Sequence, residues 1–94
     1  MLTYLKNLPV DYVKIDGQFI RNVTKDPADQ SVVEAIAQMA RAFRIKTIAE
    51  RVESRQVLDR LAEIGIDFAQ GYFVAVPRPV SELPIHARAR RVPA

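Results

Sequence analysis

The sequence predicts an α/β fold in which strands and helices alternate in the order β-α-β-α-β, with parallel strands. Short runs rich in β-branched and aromatic residues recur along the chain, and stretches with apolar residues at helical spacing separate them. Strands that are separated by helices usually pair in parallel through right-handed crossovers. Hydrophobic residues make up 49% and charged residues 27% of the 94-residue chain, which is typical of a globular domain and not of a disordered one.

The first strand is predicted at residues 9–16, where β-branched and aromatic side chains alternate with polar ones until Gly17. Residues 17–30 are expected to form a loop or an irregular turn. Within that loop Asp26 and Pro27 are typical of a helix start, because aspartate can cap a helix and proline suits the first helical position.

The first helix is predicted at about residues 31–44. Ser31 and Glu34 have the spacing of a capping box. The apolar residues that follow lie on one stripe of a helix with 3.6 residues per turn; they are Val32, Val33, Ile36, Ala37, Ala40 and Phe43.

The second strand is predicted at residues 46–50, and a second helix follows it. Ser54 can cap this helix, and Gly65 has the position of the glycine that ends one. The apolar face of the helix consists of Val57, Leu58, Leu61 and Ile64. A third strand is predicted within residues 66–73.

The C-terminal stretch differs in composition from the rest of the chain. Residues 1–77 contain ten Lys or Arg and ten Asp or Glu, so the net charge of +3 comes from the residues that follow. We predict one domain over residues 1–79 and a basic tail over residues 80–94, in which prolines interrupt the chain before a short helix at about 85–91. A few arginines near a terminus are typical of a solvated tail, so no nucleic-acid partner is expected.

Several functional classes are excluded by composition. The chain has no cysteine, which excludes disulfides, thiolate metal sites and a cysteine nucleophile. No apolar run is long enough to span a membrane, and the N-terminal residues lack the pattern of a signal peptide, so we expect a cytoplasmic protein. His86, the single histidine, is expected on the surface and not in a catalytic site.

Two architectures fit the predicted order of elements. One is a doubly wound sheet and the other is part of a (β/α)₈ barrel, and the pattern alone does not distinguish them. A closed eight-stranded barrel needs about 250 residues, so a barrel-type chain of this length would form well under half of one.

Polar residues follow each predicted strand. Lys14 and Asp16 end the first strand, Glu50 ends the second with Glu53 in the loop after it, and Gln70 lies near the end of the third. Because active sites of both architectures lie at the carboxyl ends of the strands, these side chains are candidates for one site. Carboxylates there can bind Mg²⁺ or Mn²⁺ or activate water, and a lysine can bind phosphate oxygens. Alternatively, Lys14 pairs with Glu50 or Asp16 and only closes the rim of the sheet.

Three ordered segments resemble the EAL domains, which are bacterial phosphodiesterases that open cyclic di-GMP. Residues 5–20 read LKNLPVDYVKIDGQFI and resemble the family segment LKxLPVDxxKIDxxFV. Residues 48–54, IAERVES, resemble IAEGVET, and residues 70–73, QGYF, resemble QGYLF. The resemblance runs from about residue 2 to residue 79, so we interpret this region as the C-terminal part of an EAL-type barrel, truncated at its N-terminus.

The resemblance implies a TIM-like barrel with two divalent metal ions, Mg²⁺ or Mn²⁺, at its C-terminal rim, where a metal-activated water hydrolyses cyclic di-GMP to linear pGpG. It implies that Lys14 lies near the water and the phosphate and that Glu50 is the general base and a metal ligand. It implies that Glu53 helps to hold either the loop on the substrate side or a guanine, and that Gln70 lies at the floor of the site near the water and the metal. Asp16 matches the aspartate of the KID motif and is assigned as a weak metal ligand.

Two departures from the family pattern affect this expectation. Arg51 replaces the glycine of the AEGVE motif, where a positive φ or a close backbone approach is expected, and it can disturb the loop or pair with Glu50 or Glu53. The E-A-L motif, the family's metal-binding Asn and Glu, and the DDFGTG motif are absent from these residues. We therefore expect no tight metal binding, no turnover by this chain alone, and self-association or dependence on a complementary barrel segment. The alternative function is a non-catalytic module that binds cyclic di-GMP or a protein partner.

Overall fold

A computed structural model describes residues 12–71 and 77–83. Within them, four strands form one sheet in the order β1-β2-β3-β4. The first three strands are parallel, as predicted, and the fourth is antiparallel to the third. The strands are β1 Tyr12–Ile15, β2 Lys46–Ala49, β3 Phe68–Ala69 and β4 Arg78–Pro79.

One row of small and branched side chains joins the sheet to the hydrophobic core. The register places Ile15 beside Ala49 and Ala49 beside Ala69. All three are 1% exposed or less and belong to the main core cluster. This face of the sheet is therefore the one that the helices cover.

The neighbouring row lies on the opposite face, because successive residues of a strand alternate between faces. Here the register aligns Lys14, Ile48 and Phe68. Lys14 is exposed, and the ring of Tyr12, which is 52% exposed, meets the ring of Phe68 edge to face at 5.7 Å. Polar and aromatic side chains thus share the face opposite the helices.

A one-turn helix, α1, spans Gly17–Ile20 in the region predicted as a loop. It begins directly after β1 because the Asp16 carboxylate accepts a hydrogen bond from the Gln18 N–H at 2.8 Å. Ile20, its last residue, and Val23 after it are fully buried. The loop prediction was wrong for these four residues, since a single turn is too short to show helical periodicity.

The long helix α2 spans Pro27–Ala42 and starts four residues before the predicted position. The Asp26 carboxylate accepts from the Ala28 N–H at 2.9 Å, so the Asp-Pro pair is the true start. Ser31 lies inside the helix and is exposed; it does not cap. The helix ends two residues earlier than predicted, and Arg44 after it has a φ of 59°.

The third helix, α3, spans Arg55–Ile64, and it begins and ends where the sequence predicts. The Ser54 hydroxyl oxygen accepts from the Val57 N–H at 3.1 Å, and Gly65 ends the helix with a φ of 98°. Its buried residues are Val57, Leu58, Leu61 and Ala62.

The segment after residue 77 is folded onto the sheet, although a tail interrupted by prolines was predicted from residue 80. Arg78 of β4 pairs with Ala69 of β3, and a 3₁₀ turn spans Val80–Glu82. The Val80 N–H donates to the carbonyl of Asp67 at 2.9 Å. A strand of two residues, one of them a proline, has no alternating pattern, so the sequence does not reveal it.

Some expectations lie outside the described residues, namely the helix at 85–91, the position of His86 and the end of the third strand beyond Gly71. The boundary between residues 79 and 80 stays a prediction. Across residues 12–71 and 77–83, the helices are all too short or too polar to cross a lipid bilayer.

Candidate functional site

Three of the predicted site residues follow three neighbouring parallel strands. The Glu50 N–H donates to the carbonyl of Ile15 at 3.1 Å, and the Gln70 N–H donates to the carbonyl of Ala49 at 2.9 Å. These hydrogen bonds extend the ladder one residue past the strands. Asp16, Glu50 and Gln70 therefore come to the same rim of the sheet.

Lys14 lies two positions before Asp16 in β1, in register with Ile48. It is exposed and forms no ion pair with Glu50 or Asp16 within the described structure. The ion pair that would close the rim of the sheet is therefore not formed among the described residues.

The carboxylate of Asp16 already has a structural role, because one oxygen caps α1 through the Gln18 N–H. The side chain is nonetheless exposed. The carboxylate is therefore anchored at the end of the strand through one oxygen, and the side chain is accessible from solvent.

Glu53 is held by the residues on either side of it. Val52, which is fully buried, donates its N–H to the carbonyl of Gln70 at 2.9 Å, and Ser54 caps α3. Glu53 itself is exposed. The loop is thus fixed at two points around a solvent-accessible carboxylate.

Arg51 adopts the left-handed conformation with a φ of 58°, as expected for a position where the resembling family has glycine. Two glycines make room for it. A methyl group on Gly17 would lie 2.7 Å from Cδ of Arg51, and one on Gly71 would lie 3.0 Å from Cα of Arg51 and from the Val52 nitrogen. The next residue, Val52, donates its N–H to the carbonyl of Gln70, so the loop is hydrogen-bonded to the end of β3 with an arginine at position 51.

Arg51 also forms no ion pair with Glu50 or Glu53 in the described residues. Of the two alternatives for Arg51, pairing with one of these glutamates is therefore not seen there. The contact between the arginine stem and Gly17 was missed by sequence reasoning, because residues 34 positions apart in the chain give no local signal.

The donor set does not by itself fit a two-metal centre. No group of three or more Asp, Glu or His side chains within residues 12–71 and 77–83 is arranged to hold a metal ion. Asp16 and Glu50 supply two carboxylates at the rim, and fixing two divalent ions needs more oxygen ligands than these.

A cleft of about 360 Å³ lies beside this rim, between the turn after α1 and the start of α3. It is lined by Arg21, Asn22, Thr24, Lys25, Arg51, Glu53, Ser54, Gln56 and Val57. The sequence does not reveal this cleft, because residues 21–25 belong to no motif and their approach to residues 51–57 is a tertiary contact.

Parallel strands with polar residues at their carboxyl ends, and helices over one face, define a segment of a TIM-barrel-like α/β fold. The model of the EAL domain family matches residues 1–77. This chain belongs to the EAL domain family.

Individual relatives agree with this assignment. Cyclic di-GMP phosphodiesterase PdeB of Shewanella oneidensis is 46% identical over 78 residues, which cover 83% of this chain and 9% of PdeB. Among solved structures, PaMucR phosphodiesterase in complex with cyclic di-GMP gives a TM-score of 0.72 at 34% identity, covering 87% of this chain and 33% of that one. The EAL domain of Mycobacterium smegmatis DcpA gives 0.69 at 36% identity, covering 98% and 41%. The chain thus spans about a tenth of the curated relative.

Proposed function

We propose that this chain supplies Lys14, Glu50 and Gln70 to an EAL-type site that binds cyclic di-GMP and hydrolyses it to pGpG. The observation that supports this most directly is the hydrogen-bonded alignment of Glu50 and Gln70 at the ends of adjacent parallel strands. The relatives named above as cyclic di-GMP phosphodiesterases supply the substrate class.

Each residue has a chemical role in this proposal. The Glu50 carboxylate accepts a proton from the attacking water while the water oxygen bonds to phosphorus. The bond from phosphorus to the ribose 3′ oxygen breaks, and that oxygen takes up a proton from solvent. The Lys14 ammonium stabilises the negative charge on the phosphate oxygens, and the Gln70 amide orients the water.

Glu53 and Asp16 are proposed to act at the edges of the same site. Glu53 faces solvent from a loop that is anchored on both sides, so it can accept hydrogen bonds from the N–H groups of a guanine. Asp16 can contribute one carboxylate oxygen to a cation, while its other oxygen caps α1.

We further propose that the 94-residue chain alone does not turn over cyclic di-GMP. The described residues contain no cluster of three side chains that could bind a metal ion, and hydrolysis in the family is expected to need two such ions. The same observation favours the second candidate function, a module that binds cyclic di-GMP without hydrolysing it.

The first test measures pGpG formation and cyclic di-GMP binding by the purified chain, with Mg²⁺ or Mn²⁺ present. We expect no pGpG. Turnover by the chain alone would contradict the proposed inactivity, and saturable binding without turnover would support the binding module.

The second test places residues 1–77 in the corresponding segment of PdeB, with which they are 46% identical. In this chimera Glu50→Gln should lower kcat by at least about a hundredfold, since loss of a general base typically removes ~10²–10⁴ of the rate. Glu34→Gln, at an exposed position of α2, is the matched control and should leave kcat unchanged. Equal rates in the two variants would reject Glu50 as the base.

A further inference from the structure

We propose that the cleft between residues 21–25 and 51–57, called here the basic cleft, is a binding site for a small phosphorylated anion. The residues that line it do not include Lys14, Glu50 or Gln70. Glu53, which is proposed above to contact a guanine, does line it, so the basic cleft borders the proposed hydrolytic site without including its three central residues.

The charge of the lining predicts the sign of the ligand. Arg21, Lys25 and Arg51 contribute three positive charges, and Glu53 contributes one negative charge. All four residues are exposed, so their charged groups are accessible to a ligand from solvent. Guanidinium groups match the geometry of phosphate oxygens through paired hydrogen bonds, and the ammonium adds a third donor group.

The size and polarity of the cleft limit the kind of ligand. A volume of about 360 Å³ is at the lower end of the range for small-molecule pockets. Polar side chains of Asn22, Thr24 and Gln56 line it beside the charged ones. A small, strongly hydrated anion such as pyrophosphate suits these walls better than an apolar compound.

Arg51 is held in place before any ligand binds. Its stem lies against Gly17, where any side chain larger than hydrogen would collide with it, and its backbone is close to Gly71. A φ of 58° is unfavourable for a residue other than glycine. An arginine in that conformation, with its stem fixed and its side chain lining a basic cleft, points to a role for the guanidinium group. Prior ordering of the stem lowers the entropy lost on binding.

The test is a titration of the ¹⁵N-labelled full chain with inorganic pyrophosphate at physiological ionic strength, followed by amide chemical shifts. We expect saturable shifts in residues 21–25 and 51–57. Arg51→Gly should weaken the affinity about tenfold, as loss of one charge-assisted hydrogen-bonding group predicts. Lys25→Gln, which leaves the backbone of Arg51 intact, should weaken it several-fold.

Arg44→Gly is the matched control. Arg44 also has a positive φ, of 59°, and is exposed, but it does not line the cleft. The substitution therefore makes the same change in charge and backbone elsewhere, and the affinity should change less than twofold. Equal weakening by Arg44→Gly and Arg51→Gly, or shifts that do not saturate, would overturn the proposal.

Discussion

At the scale of single residues, the two arginines with positive φ provide a direct comparison. Arg44 follows α2 with a φ of 59°, and Arg51 follows β2 with a φ of 58°. Arg44 lies at the end of a helix, where glycine is common. Arg51 packs in space against Gly17 and Gly71. The same backbone strain therefore occurs in two different packing environments.

This comparison predicts different effects on stability. The left-handed conformation costs a non-glycine residue about 1–2 kcal/mol, and glycine loses about 0.5–1 kcal/mol through its greater freedom when unfolded. Arg44→Gly should therefore raise the free energy of unfolding by about 0.5–1 kcal/mol. Arg51→Gly should raise it less, because the stem contact with Gly17 is lost.

Urea unfolding of the two variants and the parent chain, followed by circular dichroism, measures these differences. A larger gain for Arg51→Gly than for Arg44→Gly would show that the stem over Gly17 adds no favourable packing.

Residue patterns also show what the sequence can predict of the site. The rim residues Asp16, Glu50 and Gln70 were expected together, because parallel strands bring their carboxyl ends to one edge. The basic cleft was not expected, since its walls depend on the path of the turn after Ile20. The distance between two turns is a property of packing and is not encoded in local periodicity.

At the scale of elements, the accuracy of the sequence predictions follows the strength of the local signals. Helix α3 was predicted with both ends because Ser54 and Gly65 mark them. Helix α2 started earlier than predicted because two capping signals compete, and the one at Asp26 also has a proline after it. Strand β4 was missed because its pairing with β3 is a tertiary contact.

A polar contact at the other end of the sheet joins β2 to the residue before β3. The Thr47 hydroxyl donates to Oδ2 of Asp67 at 3.1 Å and accepts from the Asp67 N–H at 3.0 Å. The Thr47 N–H donates to the same carboxylate oxygen at 3.0 Å. Thr47 is 1% exposed, so this contact satisfies a buried hydroxyl.

Thr47→Val should therefore lower the free energy of unfolding by about 1–3 kcal/mol, because the Asp67 N–H loses its acceptor in a partly buried site. Thr24→Val, at a half-exposed position of a turn, is the control and should change it by less than about 0.5 kcal/mol. Chemical unfolding of both variants tests this, and equal small effects would mean that water replaces the threonine hydroxyl.

At the scale of the whole molecule, one hydrophobic core joins the sheet to the helices that cover it in the described structure. It includes Ile15 and Ala69 of the sheet, Val33 of α2 and Leu61 of α3. The parallel order of strands and helices was predicted, because each apolar stripe has the period of its own element. The extension of this core beyond residue 79 was not predicted.

The core contribution of the C-terminal segment gives a test of the predicted domain boundary. Val80 is 1% exposed and Leu83 is 6% exposed, and both belong to the main core cluster. If these residues fold with the domain, Leu83→Ala should lower the free energy of unfolding by about 2–4 kcal/mol through lost burial and the cavity left behind. Met39→Ala, at a side chain that is 50% exposed, should have a much smaller effect.

The shape of the unfolding transition decides between the two arrangements. If residues 80–83 and the sheet form one cooperative unit, the urea midpoint of Leu83→Ala falls and the slope of the transition is unchanged. A separate tail would leave the midpoint as in the parent chain, and the boundary between residues 79 and 80 would then hold. Because Val80 donates its N–H to Asp67, next to β3, we expect the single cooperative unit.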